Sequence, residues 1–300
     1  MGRIATGLLL LTLIDASTSG EPPKTPSSPQ QLARRRQPVA LTITDGGHRL
    51  WVANLRSGSI SVLDTDRRRV EDEWDVGEAV SDLISMPDGR SLLAVDSASH
   101  RLLWLEREGT TLTRRASRDI AAFPVTVRAN NLGTRVVVAS LWSRRLSAFD
   151  LDRDPAADAA LRPAWSVDLP FCPRHLLILE PPGKVLVADA FGGGLAVVDL
   201  EHGRIEARHE WPIHNIGGLA LSRDHRVVWL THQTINPKAR TTTDDIHWGF
   251  LFTNNVRSVD VDAIVHAERS DSGASRTLGG FGNGAGDPSG LCELADGNLM

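Results

Sequence analysis

A turn glycine that returns about every 42 residues, a strand–loop–strand–Asp plan after each one, and the lack of long helical periodicity predict an all-β chain. The architecture they specify is a β-propeller of four-stranded blades. Aligned on that turn, the segments are "GHRLWVAN" at Gly47, "GRSLLAVD" at Gly89, "GTRVVVAS" at Gly133, "GKVLVAD" at Gly183, "HRVVWLTH" at His225 and "GNLM" at Gly297, with offsets of 42, 44, 50, 42 and 72. Helical repeats of similar length exist. These runs are instead β-branched and bounded by Gly, Pro, Asn and Asp, which selects strands.

Each unit divides in the same way. In the second, strand A is expected over 81–86, a tight turn over 87–90, strand B over 91–96, strand C over 101–106 and strand D over 111–117. The turns before strand B recur as "PDG", "NNLG", "PPG", "SRDH" and "ADG", residues chosen for turn geometry. A blade needs only alternating burial and correct corners, so the pattern persists while identity drifts. The last residues, "LADGNLM", read as the second strand of another blade. A propeller closes on itself or leaves a sheet edge open. The expectation is therefore a seven-bladed ring, truncated here at the sixth, with the propeller spanning 38–300.

Composition narrows the classes. With 41% hydrophobic and 23% charged residues the chain has a sizeable core, and its formal net charge of −4 gives no electrostatic case for nucleic acid or anionic membrane. Arg3, an apolar run from Ile4 to Ile14 and then small residues have the layout of a secretory signal peptide, expected over 1–19. The run is too short to span a bilayer, so no integral membrane span is expected in the mature chain. Residues 20–37 are Pro/Ser/Gln-rich and read as a flexible linker. Export to the periplasm or cell exterior follows from this reading. Cys172 and Cys292 could pair in that compartment or stay free. Neither belongs to a C-x-x-C or C-x-x-C-H motif, so no cofactor is evident in this chain.

The stretch "LWVANLRSGSISVLDTDRRRVEDEWDVG" resembles the YVTN family of bacterial β-propeller repeats, with Trp51-Val52-Ala53-Asn54 at the motif's centre and Trp in place of the family's Tyr. The likeness covers residues 38–260 and implies a seven-bladed, exported propeller often used as a binding surface. The middle of the chain, from "LPFCPRHLLILEPPG" to "NIGGLALS", is also similar to propellers that precede a C-terminal c-type cytochrome domain in large exported bacterial proteins. That likeness implies haem c only if such a domain follows.

Topology locates the candidate site. In an antiparallel meander the D-to-A and B-to-C loops share one end, and strand A is innermost. Before strand A lie Arg174 and His175 in one repeat, and His214 and Asn215 in the next. After strand B lie Asn54, Asp96, Asp189 and His232. The fifth B-to-C connection is expanded from Gln233 to Asn255 and carries Asp244, Asp245, His247 and Trp248. His and Asp together can bind a divalent metal, move protons or ligate haem. No H-x-x-x-H or H-E-x-x-H spacing selects among these. Equally, a His before strand A can bond a neighbouring blade's backbone, and an Asp at a strand end can cap a turn. Asp64, Asp150, Asp199 and Asp260 recur at the end of strand C and are expected to accept backbone N–H bonds in the next turn. Arg144 and Arg145 in "LWSRRL" can meet an anion or stay solvated. "GGFGNGAG" (279–286) lacks the strand–helix context of a dinucleotide site and reads as a loop feeding the last blade.

Three functions compete. The first is a binding or scaffold module that presents the loop-rich face to a protein partner or fused redox domain. The second is a lactonase-like hydrolase, which needs a water activated in the channel. The third is an electron-transfer subunit. No G-x-S-x-G elbow or haem-attachment motif supports the latter two, and the scaffold reading is favoured, leaving enzymatic activity of this chain open.

Overall fold

Strongly β-forming runs separated by four-residue turns pair locally and in order. The computed structural model describes residues 35–108, 111–152, 160–247, 251–266, 273–280, 283–284 and 286–300. The expected signal segment and all but the last three residues of the expected linker lie outside them. Blade 1 is β1 (Pro38–Thr44), β2 (Arg49–Asn54), β3 (Ser59–Asp64) and β4 (Arg69–Asp75). Blade 2 is β5 (Val80–Ser85), β6 (Ser91–Asp96), β7 (Arg101–Glu108) and β8 (Thr111–Asp119). Blade 3 is β9 (Pro124–Ala129), β10 (Arg135–Ser140), β11 (Arg145–Leu151) and β12 (Leu161–Asp168). Blade 4 is β13 (Pro173–Leu179), β14 (Lys184–Asp189), β15 (Gly194–Asp199) and β16 (Ile205–Glu210). Blade 5 is β17 (His214–Leu221), β18 (Val227–Ile235), β19 (Phe252–Asp260) and β20 (Ala274–Thr277). Every sheet is an antiparallel meander in chain order.

Among the described residues the count is thus five four-stranded blades, and not the six or seven expected from the repeat. After β20 the sequence becomes rich in Gly, Ser and Asp, with no β-branched run of strand length. Its described residues make the two-residue ladder β21 (Gly279–Gly280) with β22 (Asn283–Gly284), then a hairpin in which Cys292 and Met300 exchange backbone bonds of 2.8 and 2.9 Å. Gly279 and Gly280 therefore pair rather than forming a plain loop. The hairpin segment lies along blade 5. Gly290 N–H bonds Gly217 C=O at 2.9 Å, and a Cβ on Gly217 would stand 1.8 Å from the Pro288 carbonyl oxygen, so glycine is required there.

Strand A is innermost, as the topology predicts. Thr42 and Ser85 hydroxyls bond at 2.9 Å between β1 and β5, and Val127 N–H donates to Asp82 at 2.9 Å between β5 and β9. Thr126 Oγ1 donates to the Arg174 carbonyl between β9 and β13. Alternate residues of each strand fill the seams between blades. Trp51, Ala53, Ile60 and Val62 of blade 1 pack on Leu83, Leu92, Ala94, Leu103 and Leu105 of blade 2. The opposite face of blade 1 is uncovered: Val39, Leu41, Ile43 and Val70 are 44–57% exposed.

Several local expectations change. Asp64 and Asp199 accept the N–H of Arg67 and His202 at 2.8 Å, the predicted turn bond. Asp150 instead bonds the Arg135 guanidinium at 2.8 Å, and Asp260 precedes a one-turn helix without a side-chain cap bond. In both places another partner or a different corner replaces the turn. The fifth B-to-C loop is shorter than expected, because Thr234, Ile235, Phe252 and Thr253 continue the β18–β19 ladder to Ile235↔Phe252. The loop proper runs over 236–251 and contains α1 (Thr243–His247); α2 (Val261–Val265) follows β19. Cys172 and Cys292 are both free thiols. Among the described residues no helix is long and apolar enough to cross a membrane.

Candidate functional site

The end of strand B carries a recurrent tie that shapes the loop-rich end. The residue after strand B donates its N–H to the carbonyl just before strand A: Leu55 to Gln37, Ser97 to Ala79 and Leu141 to Phe123 at 2.9 Å, and Ala190 to Cys172 at 2.8 Å. Each tie holds a B-to-C loop beside a D-to-A loop, so both loop types crowd one end. The polar residues at the end of strand B serve these corners. Asp96 is fully buried and accepts four backbone N–H groups, from Glu78 (2.7 Å), Ala79 (3.0 Å), Ala98 (3.1 Å) and Ser99 (3.1 Å). Burial alone would raise its carboxyl, yet these donors hold it below the ordinary value. Asn54 bonds Ser59 and Ser61, and Asp189 accepts the N–H of Phe191 and Gly192. These three residues are corner pieces.

The expected histidines divide by environment. His175 on β13 is half-buried and lies on the strand face it shares with Leu177 and Leu179, toward the seam between blades 4 and 5. Burial, then the charges of Arg174 and Arg128, push its imidazole down to about 4, and its Nε2 has no bonding partner. His232 on β18 is 2% exposed, alternates with Val228 and Leu230 of the same seam, and also keeps a partnerless Nε2. Burial lowers it too, with Arg257 contributing and a bond to the Gln233 carbonyl opposing. Both are neutral core histidines at neutral pH. His214 is exposed at the start of β17. Asp245 is tied into α1 and its approach, accepting the Arg240 N–H at 2.6 Å. His247 ends that helix, and Trp248 and the side chain of His247 lie outside the described residues. Of the expected residues, His175 and His232 thus lie on faces turned to the seam between blades 4 and 5, while His214 is exposed. Among the described residues no group of three His, Cys, Asp or Glu side chains is placed to hold a metal.

Arg174 and Asn215 do meet, with Nη1 3.4 Å from Oδ1, and Asn215 also bonds Asp287 at 2.7 Å. The Arg174 guanidinium lies 5.7 Å from the ring centre of Phe191. That ring opens a row the sequence reading missed. Phe191 stacks on Trp142 (centroids 5.7 Å, 24° between planes), Trp142 meets Phe123 edge-on (6.4 Å), and Phe123 meets His100 (6.3 Å). The row crosses blades 2, 3 and 4, and its Phe and Trp members are 43–58% exposed. The available signal was an aromatic inside each tight loop, in "HRLL", "AAFP", "LWSR" and "DAFGGG". In loops of this end Phe123, Trp142 and Phe191 expose large apolar side chains, with Ile235 and Phe252 at the strand ends beside them, whereas the described turns of the opposite end expose Leu132, with Ile43 and Val70 one residue inside its strand ends. The concavities of about 250 and 490 Å³ lie away from the row: one runs along Asn130, Arg135, Arg162 and Glu201, the other along Asp88, Trp104, Arg107 and Arg115.

No family model and no curated protein matches the chain. Solved structures do. A chain of Kuenenia stuttgartiensis hydrazine synthase superposes with a TM-score of 0.75 at 18% identity, over 95% of this chain and 76% of that one. The β-propeller domain of Myceliophteria thermophila Cps50 (Swd1) gives 0.57 at 10% identity, over 85% and 76%. A Bacteroides uniformis protein assigned, provisionally, as a 6-phosphogluconolactonase gives 0.53 at 14% identity, over 65% and 66%. These likenesses establish the β-propeller fold.

Proposed function

We propose that this chain is an exported scaffold: a propeller that presents its loop-rich end to a protein partner or fused domain, with a c-type cytochrome the favoured partner. The observation that carries this reading is the asymmetry of the two ends. Both ends carry long connections, 152–160 and 261–273 at one and 236–251 at the other, but the exposed large apolar side chains of the described loops gather at the latter: Phe123, Trp142 and Phe191, with Ile235 and Phe252 where the β18–β19 ladder stops, against Leu132 alone in the turns of the former. Loops on a rigid framework are where recognition concentrates. Export rests on the expected signal segment alone.

The test is photo-crosslinking in the organism that makes the protein. A photoreactive residue goes in place of Ala98 or Thr241 at the loop-rich end, or of Leu132 or Arg67 at the other. The expected result is a protein adduct from the first pair only, with haem absorption in the adduct if the partner is a cytochrome. Adducts from the second pair alone, or from neither, would overturn the reading.

A further inference from the structure

We infer that the row His100–Phe123–Trp142–Phe191 is the docking site for a segment of the partner that carries an aromatic or large apolar side chain beside carboxylates. The inference rests on the scaffold reading above and adds the place and chemistry of contact.

Three observations converge on it. The row is continuous, with successive ring contacts of 6.3, 6.4 and 5.7 Å, and exposed: Trp142 at 58%, Phe191 at 49%, Phe123 at 43%. Trp, Phe and Arg are the residues enriched where protein interfaces draw most of their energy. The row is also exposed along three of its rings, which suits an extended chain better than an enclosed small molecule.

The backbone is held in uncommon geometry at this place. The last residue of the B-to-C turn is left-handed in blades 1, 2 and 3, and glycine is the unstrained choice. Blade 1 uses Gly58 (φ 65°), while blades 2 and 3 place His100 (φ 58°) and Arg144 (φ 49°) there. Phe123, a bulky residue, is left-handed as well (φ 63°), and its N–H donates to His100 Nδ1 at 3.2 Å. Each such residue costs about 1 kcal/mol or more, and Asp45, Arg68 and His225 adopt the same conformation in turns of the opposite end. Here the conformation fixes the side chains that build and flank the row.

Charge selects the occupant. Arg144 is exposed beside Trp142 in the same loop, and Arg174 lies over Phe191. Of the carboxylates near the row, Asp119 pairs with Arg101 at 3.0 Å, Asp168 with Arg145 at 2.8 Å, Asp189 takes backbone N–H groups and Asp287 takes Asn215 at 2.7 Å, while Glu210 stands exposed at the end of β16. The charges that flank the Trp142 and Phe191 rings themselves are those of Arg144 and Arg174, and an acidic segment complements them.

The probe is a displayed library of random short linear peptides, selected on the folded chain and counter-selected on the double variant Trp142→Ala, Phe191→Ala. Enriched sequences are expected to combine Trp, Phe or Leu with Asp or Glu. A synthetic consensus peptide should lose about tenfold or more in affinity on the double variant and on Arg144→Glu, an exposed change that spares the rings. Thermal melts matching the parent would show that each variant folds. Enrichment of basic or purely polar sequences, or affinity unchanged in the variants, would overturn the inference. So would binding of a glycan such as cellohexaose in place of peptides, or self-association through the row. Crosslinked adducts that persist from Ala98 in the double variant would remove this site while leaving the scaffold reading in place. Loss of adducts in the parent protein would remove that reading itself.

Discussion

The two faces of blade 1 are made by the same strands, one residue out of step. On one face Trp51, Ala53, Ile60 and Val62 are at most 3% exposed against blade 2, and the Trp51 indole donates to Thr44 at 2.9 Å. On the other, Val39, Leu41, Ile43 and Val70 are 44–57% exposed. Period-two alternation sends neighbours to opposite faces, and the apolar character of both faces is that of a sheet meant to be covered on each side. Burial here comes from the neighbouring blade. The strand itself does not specify it.

Breaking the covered face should have the largest effect. Trp51→Ala removes a fully packed side chain from the first seam and is expected to destabilise by about 3–5 kcal/mol, read from chemical denaturation. A loss under about 1 kcal/mol would mean that the seam is looser than its geometry. Asp96→Ala comes next. It leaves four half-buried N–H groups without their acceptor at the corner between blades 1 and 2 and should cost about 1–3 kcal/mol. Urea midpoints for this variant beside Asn54→Ala would rank the two corners.

The seam between blades 4 and 5 can be probed by pH. His175 is pushed down to about 4 in the fold and His232 is lowered as well, so between an unfolded value near 6.5 and the folded one the unfolded chain binds more protons. Stability is then full above about 6.5 and falls as pH drops toward about 4, by about 1.4 kcal/mol for each pH step of one. Melting temperatures across that window should decline in the parent and decline less in His175→Gln. Equal slopes would show that His175 is not the group responsible. The smallest effect belongs to the bare face: Leu41→Ser should change stability by no more than about 0.5 kcal/mol. A loss of about 2 kcal/mol or more would instead show that face covered in solution, as ring closure requires.

Much of the fold was legible, because turn glycines and β-branched runs are local signals. Strands β5 to β8 fall within about two residues of their expected ends, and the inner position of strand A follows from the meander alone. The blade count was not legible, since a turn such as "ADG" announces a corner without showing that four strands follow it. The candidate site was legible only as an end of the molecule. Arg174 and Asn215 do meet there. His175 and His232 turned inward because the residue two along on the same face, Leu177 for one and Leu230 for the other, faces the core. Asp189 was claimed by its own turn. The aromatic row was overlooked since Phe123, Trp142 and Phe191 stand in three different repeats, and only the third dimension makes them adjacent.

The backbone ties at the end of each strand B have a further consequence. They join residues about eighteen positions apart, and every sheet pairs with its own sequence neighbours, so nearly all pairing is complete within one blade. A chain of this kind can acquire structure in the order in which it emerges from the ribosome, each blade finding the previous one waiting. Among the described blades, blade 1 alone has no predecessor, and no described residue covers Leu41 and Ile43 on its outer face. Anything that shields Leu41 and Ile43 during synthesis acts on yield before it acts on the finished protein.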